Sequence, residues 1–250
     1  LGEVAVVADL ATSAMNAYGP EVLSATAATD VLTTAVREGK LEADQLSGAM
    51  GQLLPVASAM GVSFDEVGAA MAAMSRTGTN AAQASTQLRG ILNSILKPTK
   101  QAEDAMAGMG LSAEGLRTQI REEGLLATLQ TLSEEFNGND AAAAQVFGNV
   151  RALSGVMDLM GANAETTAAI FDSLTQSTGA TDAAFAVTSE TAQFQMNQAL
   201  AEMKTALIEV GDAIMPVATT MIDFAKTALQ AFNSLPGPIK TIVVAFGGIA

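Results

Sequence analysis

Adjacent carboxylates recur along this chain, and a glycosidase needs two carboxylates held on either side of a scissile bond. The pairs are Asp65-Glu66, Glu103-Asp104, Glu122-Glu123 and Glu134-Glu135. Neighbours in sequence do not face one another on a helix, so a pair of this kind cannot hold a substrate between its carboxylates. A carbohydrate site would also need aromatic rings, yet aromatic residues are only 4% of the chain. The pairs therefore indicate helix caps and solvated helix faces.

The residue types that carry most other protein chemistry are missing from the sequence. The chain has no Cys and no His, which excludes thiol nucleophiles, His-based hydrolase triads and His-based metal sites. Gly108 and Gly110 lie close together but lack the Lys-Ser of a phosphate-binding loop. The turn at residues 137–140 lacks the acid spacing of a calcium loop. We therefore expect no enzymatic activity, no cofactor and no metal site.

The overall charge is strongly acidic. The chain has 12 Lys and Arg against 26 Asp and Glu, a formal net charge of -14 at pH 7. The basic residues are scattered, and Lys97 with Lys100 is the nearest approach to a cluster. Because binding to a phosphate backbone requires clustered cations, we expect no direct binding to nucleic acid.

The apolar residues are of the kinds that favour helices. Hydrophobic residues make up 49% of the chain and include 13 Met. Most of the rest are Ala, Leu and Val, and both Ala and Met are good helix formers. This composition predicts an all-α protein whose helices pack closely. We interpret the Met residues as filling irregular helix contacts, and a promiscuous binding groove is the alternative.

Signals for helix starts and stops are frequent over residues 1–178, which we predict to be a compact bundle of short helices. Ser63 and Glu66 have the spacing of a capping box. Asn80 and Thr99 stand where helices should begin and can cap them. This part of the chain forms the predicted helical core domain.

The helix boundaries are less regular elsewhere in that domain. We expect one helix over residues 43–61 that Pro55 disturbs, because proline removes a helical hydrogen bond. The charged stretch 111–124 is expected to form a helical turn or a loop. Asn163 is expected to cap the helix that follows it.

Residues 181–235 are expected to form one long, coiled-coil-like helix, kinked near Pro216. Its apolar residues follow one another at alternating intervals of four and three, a period of about 3.5 that is typical of helices that supercoil against similar helices. These residues are the predicted oligomerisation seam: Met196, Leu200, Met203, Leu207, Val210, Ile214, Val217, Met221 and Phe224.

A second apolar row lies beside the seam and widens the apolar face. Its members are Ile208, Gly211, Met215, Ala218, Ile222, Ala225, Leu229 and Phe232. A two-helix coiled coil needs only one narrow stripe. The wide face therefore favours a homotrimer. An assembly of six copies, burial by other domains and contact with lipid are the alternatives.

Residues 239–250 form an apolar run whose only charge is Lys240. The run is too short to cross a bilayer, which takes about 20 apolar residues. We expect it to start either a membrane-compatible helix or a buried helix.

A set of short motifs occurs in a fixed order. The motifs are Val62-Ser63-Phe64-Asp65-Glu66, Thr86-Gln87-Leu88-Arg89, Leu96-Lys97-Pro98-Thr99-Lys100, Met109-Gly110-Leu111-Ser112, and VFGNVRALSG at 146–155. Together they resemble the core region of phage tail tape measure proteins of the lactococcal-phage type, over roughly residues 1–235. The chain departs from that family at 111–126, where Ala113-Glu114-Gly115 replaces a common Asp-Gly turn.

The resemblance implies a structural protein of the virion, made in the host cytoplasm and located inside the phage tail. Such a protein occupies the tail tube, sets tail length during assembly and leaves ahead of DNA at infection. The implied partners are further copies of the chain, the tail tube protein, distal tail and tail tip or baseplate hub proteins, tail assembly chaperones, and the host membrane on ejection. No catalytic residue is implied.

Two other classes of protein compete with this interpretation. A membrane-active or pore-forming helical protein could use the same wide apolar face. An enzyme with a helical substrate domain is disfavoured by the missing His and Cys. The length of the parent chain would separate the first of these from a tape measure protein.

Overall fold

The computed structural model describes residues 4–136 and 139–191 without a gap, and beyond them residues 196, 198–203, 205, 220, 222–223, 226–227, 229–230 and 233–234. In these residues every regular element is an α-helix, so the all-α prediction is confirmed. The helices are α1 (Val4–Tyr18), α2 (Ala25–Glu38), α3 (Ala43–Met50), α4 (Leu54–Met60), α5 (Phe64–Arg76), α6 (Ala81–Leu96), α7 (Lys100–Gly108), α8 (Ala113–Glu123), α9 (Leu125–Phe136), α10 (Asp140–Val146), α11 (Val150–Met160), α12 (Ala164–Thr175) and α13 (Ala180–Ser189).

Side-chain acceptors fix the starts of α6 and α7. The Asn80 side-chain oxygen accepts from the Gln83 N–H at 2.9 Å. The Thr99 hydroxyl accepts from the Ala102 N–H at 3.2 Å. Each bond satisfies one of the N–H groups that the first turn of a helix leaves without a partner. Both predicted caps are confirmed.

Glu66 supports the starts of two helices. One carboxylate oxygen accepts from the Ser63 N–H at 3.0 Å and closes the predicted capping box of α5. The other oxygen accepts at 2.6 Å from the N–H of Leu125, the first residue of α9. A Cβ on Gly124 would lie 2.6 Å from the same oxygen. The glycine therefore allows the chain to pass close to the carboxylate, and Glu66 joins α5 to α9.

The stretch 43–61 contains two helices, so the expectation of one disturbed helix is wrong. Helix α3 ends at Met50 and α4 begins at Leu54, which places Pro55 in the first turn of α4. Proline is tolerated there because its missing N–H would have had no helical partner. Gly61 ends α4 in the left-handed conformation, with φ at 81°.

The stretch 111–124 contains a full helix, α8, where only a turn or loop was expected. The Ser112 hydroxyl caps it by accepting from the Gly115 N–H at 3.0 Å. Leu116 and Ile120 are its buried residues. Their spacing of four places them on one narrow apolar stripe, and charged residues on the other faces obscure that stripe in the sequence.

The expected side-chain cap at Asn163 is not formed. Asn163 makes no cap hydrogen bond at the start of α12, and its backbone has φ -104° and ψ 11°. A capping residue usually has an extended backbone, which directs its side-chain oxygen at the N–H groups of the first turn.

Helix α5 lies at the centre of the core, packed against α2, α6 and α12. Small residues bring these helices close together. A Cβ on Gly68 of α5 would lie 3.1 Å from Val31 Cγ1 of α2. On α11, a Cβ on Gly155 would lie 3.0 Å from Gln87 Cβ and 3.1 Å from Ile91 Cδ1. Close packing of helices with few aromatic residues is what the composition predicts.

Tyr18 joins the end of α1 to the start of α5. Its ring meets Phe64 edge-on, with the ring centres 6.0 Å apart. The Tyr18 hydroxyl is buried and has no hydrogen-bond partner in the described residues. Burial, followed by the nearby carboxylates of Glu66 and Asp65, raises the pKa of Tyr18 well above its ordinary value.

The chain divides into two units, residues 1–185 and residues 186–250. The first unit contains α1 to α12 and the start of α13. In the second unit the residues from 196 onward that the structure describes are helical. The predicted kink at Pro216 and the apolar run 239–250 lie outside the described residues.

The helix expected from residue 181 is interrupted before its seam. Helix α13 ends at Ser189, and Glu190 and Thr191 form a turn and a bend. The Ser189 hydroxyl donates to the Ala186 carbonyl at 2.9 Å, and the Thr191 hydroxyl donates to the Thr188 carbonyl at 2.7 Å. Hydroxyl side chains of this kind compete with helical backbone hydrogen bonds.

Candidate assembly surface

The first part of the predicted seam is an exposed apolar helix face. Met196, Leu200 and Met203 lie in helical residues and are 62%, 53% and 56% exposed. Their spacing places them on one side of the helix. Interaction surfaces often present apolar side chains together in this way, so these three residues form the candidate surface. The remaining predicted seam residues lie outside the described residues: Leu207, Val210, Ile214, Val217, Met221 and Phe224.

Two members of the second apolar row are also exposed. Ile222 is 53% exposed and Leu229 is 62% exposed. The same stretch carries an ion pair in which Lys226 Nζ lies 3.5 Å from Asp223 Oδ1, with both side chains largely in solvent. An exposed pair of this kind contributes about 0–1 kcal/mol. Any association of these residues would therefore be driven by the apolar face.

Among the adjacent carboxylates, Glu103, Asp104 and Glu123 contact neighbours on their own helices. Lys100 Nζ lies 3.8 Å from Glu103 and 2.8 Å from Asp104, and all three side chains are exposed. One Glu123 oxygen accepts from the Gln119 amide at 2.8 Å. In the part of the chain that the structure describes, no three acidic side chains come together as a metal site. These carboxylates act on helix ends and helix surfaces.

Two of the motif stretches meet where α6 packs on α11. The Gln87 amide donates to the Ser154 hydroxyl at 3.3 Å. A Cβ on Gly90 would lie 3.2 Å from the Ala152 Cβ. The motifs around residues 86–89 and 146–155 are therefore parts of one helix contact.

Asp30 belongs to none of the sequence motifs, yet it makes two hydrogen bonds to a distant part of the chain. This carboxylate lies on α2 and is only 3% exposed. It accepts from the Gly179 N–H at 2.8 Å and from the Thr181 N–H at 2.9 Å. The Thr33 and Thr181 hydroxyl oxygens lie 3.2 Å apart. The signal in the sequence was an acid set among residues such as Val31 on the apolar face of a predicted helix.

Asp30 keeps its charge in this buried position. Burial alone would raise its pKa, but hydrogen bonds from Thr181 and Gly179 favour the ionised form, and the net effect lowers the pKa of Asp30 below its ordinary value of 3.8. A negative charge is also favourable at the N-terminus of a helix. Asp30 is therefore a charged cap for α13 that is located on α2.

None of the helices in the described part of the chain is long and apolar enough to cross a membrane.

The comparisons with known proteins agree with the motifs. The family described as "Phage-related minor tail protein" matches residues 1–150. The "Tape measure protein" of Pneumococcus phage Dp-1 is 32% identical over 186 residues, which is 72% of this chain and 16% of that relative. The chain thus spans a small part of that relative's length. No solved structure matches.

These matches confirm the resemblance to tape measure proteins that the motifs indicated. The family match covers more than half of the chain and includes the capping box at Ser63, Glu66 and the motif at 86–89. The chain belongs to the phage-related minor tail protein family.

Proposed function

We propose that this chain is a segment of a tape measure protein that occupies the tail tube, sets tail length during assembly and leaves ahead of DNA at infection. The similarity to the Dp-1 tape measure protein over 186 residues carries the proposal. The segment would be a structural part of the virion, inside the tail, and would have no enzymatic role.

The all-helical architecture gives such a protein a physical means of measuring length. A helix rises about 1.5 Å per residue, so the number of residues sets a distance. Deleting about 21 residues, three heptads, from the seam should keep its register and shorten the tail by about 30 Å.

Electron microscopy of phage carrying the deletion measures this effect directly. A full-length phage with Thr205→Asp is the matched control, because Thr205 is exposed and lies off the seam. Deletion phage whose tails keep their full length would contradict the ruler function.

Within the tail we propose that copies of the chain associate through the seam, as trimers. The exposure of Met196, Leu200 and Met203 supports a partner surface. Ile222 and Leu229 of the second apolar row are also exposed, and a two-helix coiled coil needs only one narrow stripe. The partner is a second and third copy, because a heptad seam is complementary to itself.

Analytical sedimentation of the 250-residue chain tests the seam. Leu200→Asp combined with Met203→Asp would place charges in the contact, which costs several kcal/mol, and should give monomers where the original chain forms trimers. Thr205→Asp should leave the trimer intact. An original chain that sediments as a monomer at high micromolar concentration would contradict self-association.

The remaining partners follow from the same function. They are the tail tube protein, distal tail and tail tip or baseplate hub proteins, and tail assembly chaperones. We also propose that the run 239–250 reaches the host membrane when the protein is ejected. Before ejection, neighbouring copies would cover this run, because an exposed apolar patch would cause aggregation. Extending the chain by its natural next residues and mixing it with liposomes tests this, and a lack of partitioning would contradict it.

A further inference from the structure

Apolar anchoring stops between α12 and α13. Helix α12 is held in the core by buried side chains: Thr167, Ile170, Phe171 and Leu174. In α13, whose ten residues are all described, Ala180 is the buried residue. Burial of apolar side chains is what normally holds a helix in place. Helix α13 must therefore be held mainly by other contacts.

The described contacts between α13 and α2 are polar and lie at one point. The Asp30 carboxylate receives the N–H groups of Gly179 and Thr181 at 2.8 and 2.9 Å, and the Thr33 hydroxyl lies 3.2 Å from that of Thr181. We call these four residues the latch. Gly179 has φ at 80°, a conformation that other residues rarely adopt. The chain thus turns at Gly179 so that two N–H groups meet one carboxylate.

A helix that meets α2 at one polar point can separate from α2 without disturbing the rest of the core. Opening exposes little apolar surface, because so little of α13 is buried. The released N–H groups of Gly179 and Thr181 can bond to water, and so can the carboxylate of Asp30. Regions of this kind open locally at a lower free energy than the global unfolding of the protein.

We infer that the latch is a releasable joint, which lets α13 separate from α2 while α1 to α12 remain folded. The contact of α13 with α2 then depends on Asp30 rather than on core packing. This inference goes beyond the proposed function and holds whether or not the seam forms trimers.

Hydrogen exchange of the 250-residue chain, followed by mass spectrometry, tests the joint. In Asp30→Ala the amides of residues 179–189 should exchange about tenfold faster, as expected for loss of a helix cap. The amides of α5 and α6 should stay within about twofold of the original chain. Thr33→Val, which removes one hydroxyl and keeps the carboxylate, should give a smaller increase.

Glu66→Ala is the matched control, because Glu66 is also a carboxylate that accepts from the first turn of another helix. It should speed exchange at the start of α9 and leave α13 unchanged. An unchanged α13 in Asp30→Ala would overturn the inference. So would an equal acceleration of α5 and α6, since Asp30 would then stabilise the whole core.

A second variant keeps the test decisive if Asp30→Ala does not fold. Asp30→Asn has the same size and keeps one carbonyl acceptor. The α13 amides of Asp30→Asn should exchange faster than those of the original chain and more slowly than expected for complete loss of the cap. Exchange equal to that of the original chain would overturn the joint.

Discussion

At the scale of single residues, glycines set how closely the helices approach. A Cβ on Gly155 would meet Gln87 Cβ at 3.0 Å and Ile91 Cδ1 at 3.1 Å. Gly48 of α3 has nothing within 4 Å of the same position. The two glycines therefore form a natural pair for testing helix packing.

We predict that Gly155→Val lowers the free energy of unfolding by about 1–3 kcal/mol, because added carbons in a filled core force neighbours apart. Gly48→Val should cause no loss, since valine has a higher helix propensity than glycine. Urea unfolding followed by circular dichroism measures both. Equal stabilities for the two variants would contradict the close packing of α11 on α6.

A second prediction at this scale concerns pH. The pKa of Asp30 is lower in the folded chain than its ordinary value of 3.8. Its contribution to holding α13 is therefore fully present above pH 3.8 and is lost as the pH falls through the lowered pKa. A carboxyl-carbon NMR titration should give a midpoint below 3.8 for Asp30, and the protection of α13 amides should fall over the same range.

Asp30→Asn provides the comparison for that titration. Its α13 amides should have lower protection at neutral pH and should show no loss over the acid range, because the asparagine amide does not titrate there. If the original chain and Asp30→Asn lost protection in parallel, another group would control α13.

At the scale of the helices, Glu66 links elements that the sequence presents as separate. Glu66→Ala removes the acceptor for Ser63 and the acceptor for Leu125. We predict a loss of about 1–3 kcal/mol in unfolding free energy, since each cap is worth about 0.5–2 kcal/mol. Glu42→Ala should cost much less, because Glu42 precedes α3 without a side-chain cap bond. Urea midpoints that are equal for the two variants would count against the double role.

The caps could be predicted because they depend on contacts within three residues. Asn80 and Thr99 each accept from an N–H three residues ahead, and Glu66 accepts from the Ser63 N–H three residues back. The sequence also predicted the helix end at Gly61 and the break between residues 178 and 181. These features need no knowledge of the tertiary fold.

The latch and the second role of Glu66 could not be predicted in this way. Asp30 and Gly179 lie 149 residues apart, and Glu66 and Leu125 lie 59 apart. Which distant N–H meets a carboxylate depends on how the helices pack. For the candidate surface, the sequence predicted the spacing of Met196, Leu200 and Met203, and the structure adds their exposure.

At the scale of the whole molecule, the net charge opposes binding to nucleic acid. With a formal net charge of -14, the chain should be repelled by a phosphate backbone. We predict no binding to duplex DNA at micromolar protein in gel-shift measurements, at low or at physiological salt. A salt-sensitive shift would contradict this, since electrostatic binding to DNA weakens steeply as salt rises.

Because Tyr18 contacts Phe64 edge-on, its ring is a natural spectroscopic probe of the junction between α1 and α5. The sequence has one Tyr and no Trp, so tyrosine fluorescence and near-ultraviolet absorption above the phenylalanine bands come from a single ring at the junction of α1 and α5. Because burial holds its hydroxyl in the protonated form, the tyrosinate band should appear in alkali together with the opening of that junction. One wavelength can therefore follow the folding of the core without any added dye.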